Sequence, residues 1–280
     1  MSLHISRSFI HIFVMSMRTA EQLHLYPMPD NRVTAFSTTR HGGWGSGAYG
    51  TFNCTPYTGD EFSVVLANQE KLCRLVGVTA DKLIVPYQTH SCNVLTIDEA
   101  FMQLSGDARH AMLQEKDAVI TSIPNVCLCV STADCVPVLL YDSARGVIAS
   151  VHAGWRGTVG KIVAHTVEVM REKYGTQATD IYAIIGPCIS LEAFEVGIEV
   201  YEAFEQAGFD MEQIAQWHPE KEKYHIDLPA ANRLQLLAEG VPEEQIHDSA
   251  ICTYSQHEDF FSARRLGIRS GRILNGIVMK

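Results

Sequence analysis

With 280 residues, 46% of them hydrophobic, the chain is long enough to bury a substantial core, and α/β or all-β chains of this size fold as one unit. A formal charge of −10 without any clustered Lys/Arg run argues against nucleic acid or an anionic membrane surface as main partner, and leaves a small molecule as the expected ligand. Eight irregularly spaced cysteines, several inside apolar runs, exclude a disulfide framework and read as reduced thiols of a cytoplasmic protein.

The first seventeen residues hold Arg7 and a short apolar run from Phe9 to Met15, interrupted by His11 and followed by no small-residue cleavage site. This reads as an N-terminal extension over 1–20 ahead of a single domain over 21–280. No apolar run reaches the ~20 residues of a membrane span, so a cytoplasmic location is expected. A strand is predicted over 33–39, and a loop over 40–50 carries five glycines. Such a loop brings backbone amides close to a ligand, and Arg40 adds a forked cation suited to phosphate; an ordinary surface loop explains the composition equally well. Apolar residues at helical spacing predict a helix over 60–76, stopped by Gly77. Short strands over 83–85 and 93–97 bracket a loop that carries His90, and 97–116 reads as loop plus a short helix.

Strands over 117–121, 126–130, 136–141 and 147–151 are predicted to form the central sheet. Cys127 and Cys129 alternate along the second, so both face one side. Ser143-Ala144-Arg145-Gly146 is a turn joining the last two into a hairpin. A helix over 157–174 follows, ended by Gly175, and its first amides are placed to favour an anion. Beyond it come a strand over 180–186 closing on Pro187-Cys188, helices over 198–206 and 228–239 with Asp227 as cap, and a strand over 246–253.

The hairpin brings Cys135 and His152 together at neighbouring strand ends. A thiolate and an imidazole there suit a transition metal or a nucleophile–base pair. In the metal reading His90, in a strand-end loop among small polar residues, is the favoured third ligand of an open zinc site. In the nucleophile reading His152 activates Cys135, with Asp134 or His90 as orienting group. The same residues serve both, so spacing does not separate them. Cys188 is assigned no catalytic role.

Several motifs then align with one known family. Gln88-Thr89-His90-Ser91, Asp117-Ala118-Val119-Ile120-Thr121, Ala133-Asp134-Cys135-Val136-Pro137, His152-Ala153-Gly154-Trp155-Arg156-Gly157, Gly186-Pro187-Cys188-Ile189 and Phe261-Ser262-x-Arg264-Arg265 occur in the order seen in the YfiH/laccase-domain family. Thr39-Arg40-His41-Gly42-Gly43 and Phe52-Asn53 are similar to its opening block. The resemblance implies a YfiH-like α/β domain with a mixed central sheet flanked by helices, and zinc on His90, Cys135 and His152. It implies a purine nucleoside phosphorylase acting on adenosine, inosine, guanosine or methylthioadenosine, with inorganic phosphate as co-substrate and adenosine deaminase activity besides. Arg40, Gly43, Asn53 and Arg264 become candidate substrate or phosphate contacts, and Phe261 a candidate stacking partner for the base. A monomer or weak dimer is expected. Family members also carry the labels polyphenol oxidase and peptidoglycan editing factor, so a copper-dependent phenol oxidase and a cysteine-dependent amide hydrolase acting on peptidoglycan precursors are the alternatives. The chain has no His-x-His pair, which weighs against a multi-site copper oxidase. The family pattern does not require the 1–20 extension.

Overall fold

The computed structural model describes residues 22–280, and the expectation for 1–20 lies outside them. The strands expected to form one central sheet divide between two. Ala118–Thr121, Val136–Asp142 and Val147–Ala153 sit in a six-stranded mixed sheet completed by Val94–Thr96, Ile181–Ile185 and Ile246–Asp248. Cys127–Thr132 belongs instead to a five-stranded sheet with Leu23–Tyr26, Val33–Thr38, Leu83–Ile84 and Ile273–Met279. The two sheets lie face to face.

Side-chain alternation explains why two sheets form. Along Val136–Asp142 every residue is buried: Leu139 and Tyr141 enter a core shared with Leu128, Ile277 and Ala35 of the other sheet, while Val138 and Leu140 face the helices. Helices Ile162–Tyr174 and Leu228–Ala238 cover that outer face through Val163, Val167, Met170, Ala231 and Leu236. Helix Phe62–Val76 covers the far face of the five-stranded sheet with Leu72 and Val76, against Phe36, Cys127, Cys129 and Leu274. The result is four layers, helix, sheet, sheet, helix. Cys127 and Cys129 do share a face, their sulfurs 3.7 Å apart in this core.

Other expectations shift locally. Residues 97–116 form two short helices, Glu99–Gln103 capped by Asp98 and Gly106–Met112 capped by Ser105. The helix expected over 157–174 begins earlier as the five-residue Trp155–Val159, breaks at Gly160 and Lys161, and restarts at Ile162; Lys161 takes φ 60°. Gly157 is therefore the interior of a short turn and not a helix start that receives an anion. The strand expected over 246–253 ends at Asp248. Strands Glu195–Val196, Ala215–His218 and Lys223–Ile226 form a third small sheet.

Two pairings position the site. The hairpin register sets Val136 opposite Ala153 and Pro137 opposite His152, so Cys135 and Gly154 are neighbours just past the paired residues. Ala118 pairs with Val151 on the other side of the same strand, and the His152 amide donates to the Asp117 carbonyl at 2.7 Å. Asp117, Cys135 and His152 thus meet at one end of three adjacent strands.

Candidate metal centre and cavity

His90, Cys135 and His152 bring their ligand atoms within 4.8 Å of one another. Among the described residues this is the one such group of three or more His, Cys or acidic side chains. Cys135 Sγ lies 3.9 Å from His90 Nε2, and the two imidazole rings stand edge to face at 4.9 Å between centroids. His152 is buried, Cys135 half-buried and His90 exposed, so the group is open on one side.

Asp117 is the residue that builds this arrangement. Its carboxylate is fully buried and accepts five hydrogen bonds. Oδ1 takes His152 Nδ1 at 2.7 Å and the His90 amide at 3.0 Å, while Oδ2 takes the Thr89 amide, the Ser91 amide and the Ser91 hydroxyl. Three consecutive amides converging on one anion bend the chain so that His90 sits at φ 62°, a left-handed conformation unusual for histidine. With Nδ1 donated to Asp117, His152 presents Nε2 to the cavity, the second-layer hydrogen bond typical of metal-ligating histidines.

The charges follow. Burial pushes the Asp117 carboxyl up, but the bonds from His152 and Ser91 outweigh it and hold it at about 2. Burial raises the Cys135 thiol, and the His152 and His90 imidazoles more than offset that, bringing it to about 6. His152 moves the other way: burial lowers it, whereas Cys135 and Asp117 carry it to about 9. Gly154 is required by space rather than by dihedral angle. A Cβ there would sit 2.7 Å from His90 Cδ2 and 3.0 Å from Cys135 Sγ.

These three side chains line a cavity of about 830 Å³, within the size range of small-molecule sites. Its lining is polar or phenolic at Thr55, Tyr57, Tyr87 and Gln88, and apolar at Trp155, Ile189 and Phe194. Arg264 and Arg272 also line it. Gln88 is fixed by the Ser131 amide and hydroxyl, which both donate to Oε1, and by its own Nε2–H bond to the Ser131 carbonyl.

The predicted contacts do not all arrive here. Arg264 does: its amide donates to Asp134 Oδ2 at 2.7 Å and its guanidinium caps the Glu195 carbonyl. Arg40, Gly43, Asn53 and Phe261 are not among the lining residues. Arg40 spends its guanidinium on the Gly50 and His257 carbonyls and stacks over Phe261. Phe261 is fully buried, so its ring packs in the core and offers no face to a base. Gly43 is required by backbone crossing, since a Cβ there would collide with the Thr51 carbonyl and Asn68. Asn53, also fully buried, donates to Thr58 and Asp60 and receives the Arg272 amide, so it acts on the cavity through Thr58 and Arg272, which both line it. Asp134 does not orient His152; it takes the Thr253 hydroxyl and the Arg264 amide.

Residue spacing does not mark Asp117 or Arg272 as site residues. Asp117 is visible as the polar residue opening an otherwise apolar strand. Arg272 precedes the last apolar run, Ile273–Met279, which pairs with both Val33–Thr38 and Cys127–Thr132. The Arg272 guanidinium donates to the Ser270, Gly271 and Ile268 carbonyls, and its burial lowers its affinity for a proton while Cys135 and Asp134 oppose that shift.

The family model described as multi-copper polyphenol oxidoreductase laccase matches residues 34–280. The chain belongs to this family. It is 52% identical over 249 residues to a purine nucleoside phosphorylase of Bacteroides thetaiotaomicron, covering 89% of this chain and 92% of that one. It is 47% identical over 248 residues to adenosine deaminase RL5 of an unknown prokaryotic organism, covering 89% and 94%. Among solved structures, Bacillus licheniformis hypothetical protein YfiH aligns with a TM-score of 0.86 at 29% identity, covering 93% of this chain and 97% of that one. YlmD of Geobacillus stearothermophilus gives 0.85 at 28% identity, with the same coverage. The chain is thus a laccase-domain protein of YfiH-like fold with a site that fits a metal ion. No helix among the described residues is long and apolar enough to cross a membrane.

Proposed function

We propose that this laccase-domain protein is a zinc-dependent purine nucleoside phosphorylase that also deaminates adenosine. The observation that carries the reading is the His90–Cys135–His152 group on the wall of a cavity of nucleoside size, oriented by Asp117 and faced by two arginines. Relatives named purine nucleoside phosphorylase and adenosine deaminase support it.

The donor set fits zinc. Two imidazoles and a thiol held low are borderline-soft donors in the number used by open catalytic sites, and Gly154 keeps the space between them free. When bound, such an ion supplies Lewis acidity and lowers the pKa of water at its open position towards ~7. The chain's own residues do the rest. Asp117 holds the proton of His152 on Nδ1 and so keeps Nε2 available as a ligand. Arg272, braced by three carbonyls, is a fixed cation beside the group and is assigned the phosphate. Arg264 lies at the same cavity and adds a second charge against the phosphate dianion. Trp155, Ile189 and Phe194 are the apolar lining assigned to the purine.

The test is product analysis from adenosine with zinc-loaded protein. Adenine formed only when phosphate is present, with inosine formed in either condition, supports both activities. No product from any of the four nucleosides under either condition refutes the proposal.

A second reading has one observation in its favour. Asp117, His152 and Cys135 are aligned as acid, imidazole and thiol, with the thiol lowered and the imidazole raised, as a nucleophilic cysteine requires. It would serve an amide hydrolase acting on peptidoglycan precursors. Iodoacetamide at Cys135 of metal-free protein separates the two: if the protein hydrolyses an amide substrate without metal and loses that hydrolysis on alkylation, the nucleophile reading prevails.

A further inference from the structure

A second, smaller cavity of about 240 Å³ includes none of the three metal-group residues in its lining, and two cysteines lie on its wall with Glu192, Asp227 and Asp248. Cys188 and Cys252 are partners in a parallel bridge: the Cys188 amide donates to the Ile251 carbonyl at 3.2 Å, and the Thr253 amide to the Cys188 carbonyl at 2.9 Å. Bridged segments run about 4.7–4.9 Å apart and partner side chains share a face, which sets the two Cα atoms inside the roughly 4.4–6.8 Å that a disulfide spans. Both cysteines are free.

The two sulfurs differ in a useful way. Cys252 is half-buried, and its sulfur accepts the Ser190 amide at 3.4 Å. Burial pushes its thiol up, yet the hydrogen bonds from Ser190 and Ser255 bring it below the ordinary value. Cys188 is buried, and burial together with Asp248 and Asp227 keeps it a neutral thiol. Of the other half-buried thiols, Cys92 points at the Gly157 and Gly160 carbonyls and is raised by burial, and Cys135 belongs to the metal group.

We propose that Cys252 and Cys188 are a peroxide-oxidised thiol pair, Cys252 being the sulfur that attacks peroxide and Cys188 the resolving thiol. The Cys252 thiolate attacks hydrogen peroxide; an S–O bond forms, the O–O bond breaks, and the departing hydroxide takes a proton to leave as water. The Cys188 sulfur then attacks the sulfenic sulfur; the S–S bond forms, the S–O bond breaks, and the hydroxide leaves with the Cys188 proton as a second water. Peroxide is reduced by two electrons and the two thiols are oxidised to one disulfide. A small, neutral oxidant is the class the cavity admits, because three carboxylates line it and its volume is below that of sites for drug-sized ligands. The pair stands on the two strands of chain that hold Asp134 beside Cys135: the Ile189 amide donates to the Asp134 carbonyl at 2.9 Å, and the Thr253 hydroxyl to its carboxylate at 2.7 Å.

The experiment treats zinc-loaded protein with a slight excess of hydrogen peroxide, blocks remaining thiols under denaturing conditions and maps the peptides. The expected result is a loss of two hydrogens in one link between the Cys188 and Cys252 peptides, reversed by dithiothreitol. Cys188→Ser treated with dimedone should carry the adduct on Cys252, and Cys252→Ser should form no link. Oxidised glutathione, large and anionic, should react about tenfold more slowly or less. A dimedone adduct on Cys135 or Cys92 with Cys252 unmarked, a link between other cysteines, or equal rates with oxidised glutathione would overturn the proposal. None of these readouts depends on nucleoside turnover.

Discussion

Replacing Asp117 by asparagine tests the site at its foundation. The carboxylate accepts two bonds on Oδ1, from His152 Nδ1 and the His90 amide, and three on Oδ2, from the Thr89 and Ser91 amides and the Ser91 hydroxyl. An amide offers one acceptor and one donor in the same place. If its oxygen takes the Oδ2 position, the NH₂ faces the His90 amide and His152, which must move its proton to Nε2 and so loses the nitrogen it presents to a metal. If the oxygen takes the Oδ1 position, the NH₂ faces two backbone N–H groups. Either orientation leaves at least one buried donor facing a donor, at about 1.5–3 kcal/mol for each charge-assisted bond lost. We therefore expect Asp117→Asn to lower unfolding stability by roughly 2–4 kcal/mol and zinc affinity by about 10–100-fold, the range for second-layer carboxylates. Urea unfolding of metal-free protein reads the first, and competition with a chromophoric chelator the second. Zinc affinity and turnover within about threefold of wild type would refute the role assigned to Asp117.

Gly154→Ala places a methyl 2.7 Å from His90 Cδ2 and 3.0 Å from Cys135 Sγ, so zinc stoichiometry by mass spectrometry should fall while circular dichroism stays unchanged. Arg272→Lys keeps a charge but loses the fork, and should raise KM for phosphate by about tenfold or more, a loss of about 1.4 kcal/mol, with adenosine deamination near its original rate. Phe261→Ala should cost about 3–5 kcal/mol in denaturant unfolding, because the ring is core; an unchanged stability with a raised KM for nucleoside would restore the base-stacking role. Chelation should abolish turnover and added zinc restore it, followed by the same chromatographic assay.

The elements legible in the sequence are those whose pattern is local. The hairpin from Val136 to Ala153 has two apolar runs and a turn, and Asp142 Oδ1 secures that turn by accepting the Ala144 and Arg145 amides. Helices Phe62–Val76 and Leu228–Ala238 have their periodicity and end signals in place. The division into two sheets was not legible, because strands buried on both faces read as continuous apolar runs and carry no mark of which sheet they join. Cys127–Thr132 and Val136–Asp142 are four residues apart yet pair with different partners, and the deciding partner of the first, Ile273–Met279, lies at the other end of the chain.

The same distinction governs the site. Cys135, His152 and Gly154 are legible because one hairpin register brings them together. His90 depends on Asp117, which lies 27 positions further on and draws it in through backbone amides that no side-chain pattern reports. Arg40 and the glycine loop failed as cavity residues for a related reason. Glycine marks close approach, but the sequence does not say to what, and at Gly43 the approaching group is the chain's own Thr51 carbonyl. A cation that the cavity does receive, Arg272, arrives just ahead of the last strand in the chain, Ile273–Met279, with its amide fixed by Asn53 from the segment that follows that loop. The loop region therefore shapes the cavity indirectly: Asn53 holds Arg272, and Thr55 and Tyr57 just beyond it supply part of the lining. This indirect role makes the effect of Arg40→Ala fall on stability, whereas that of Arg272→Lys falls on phosphate.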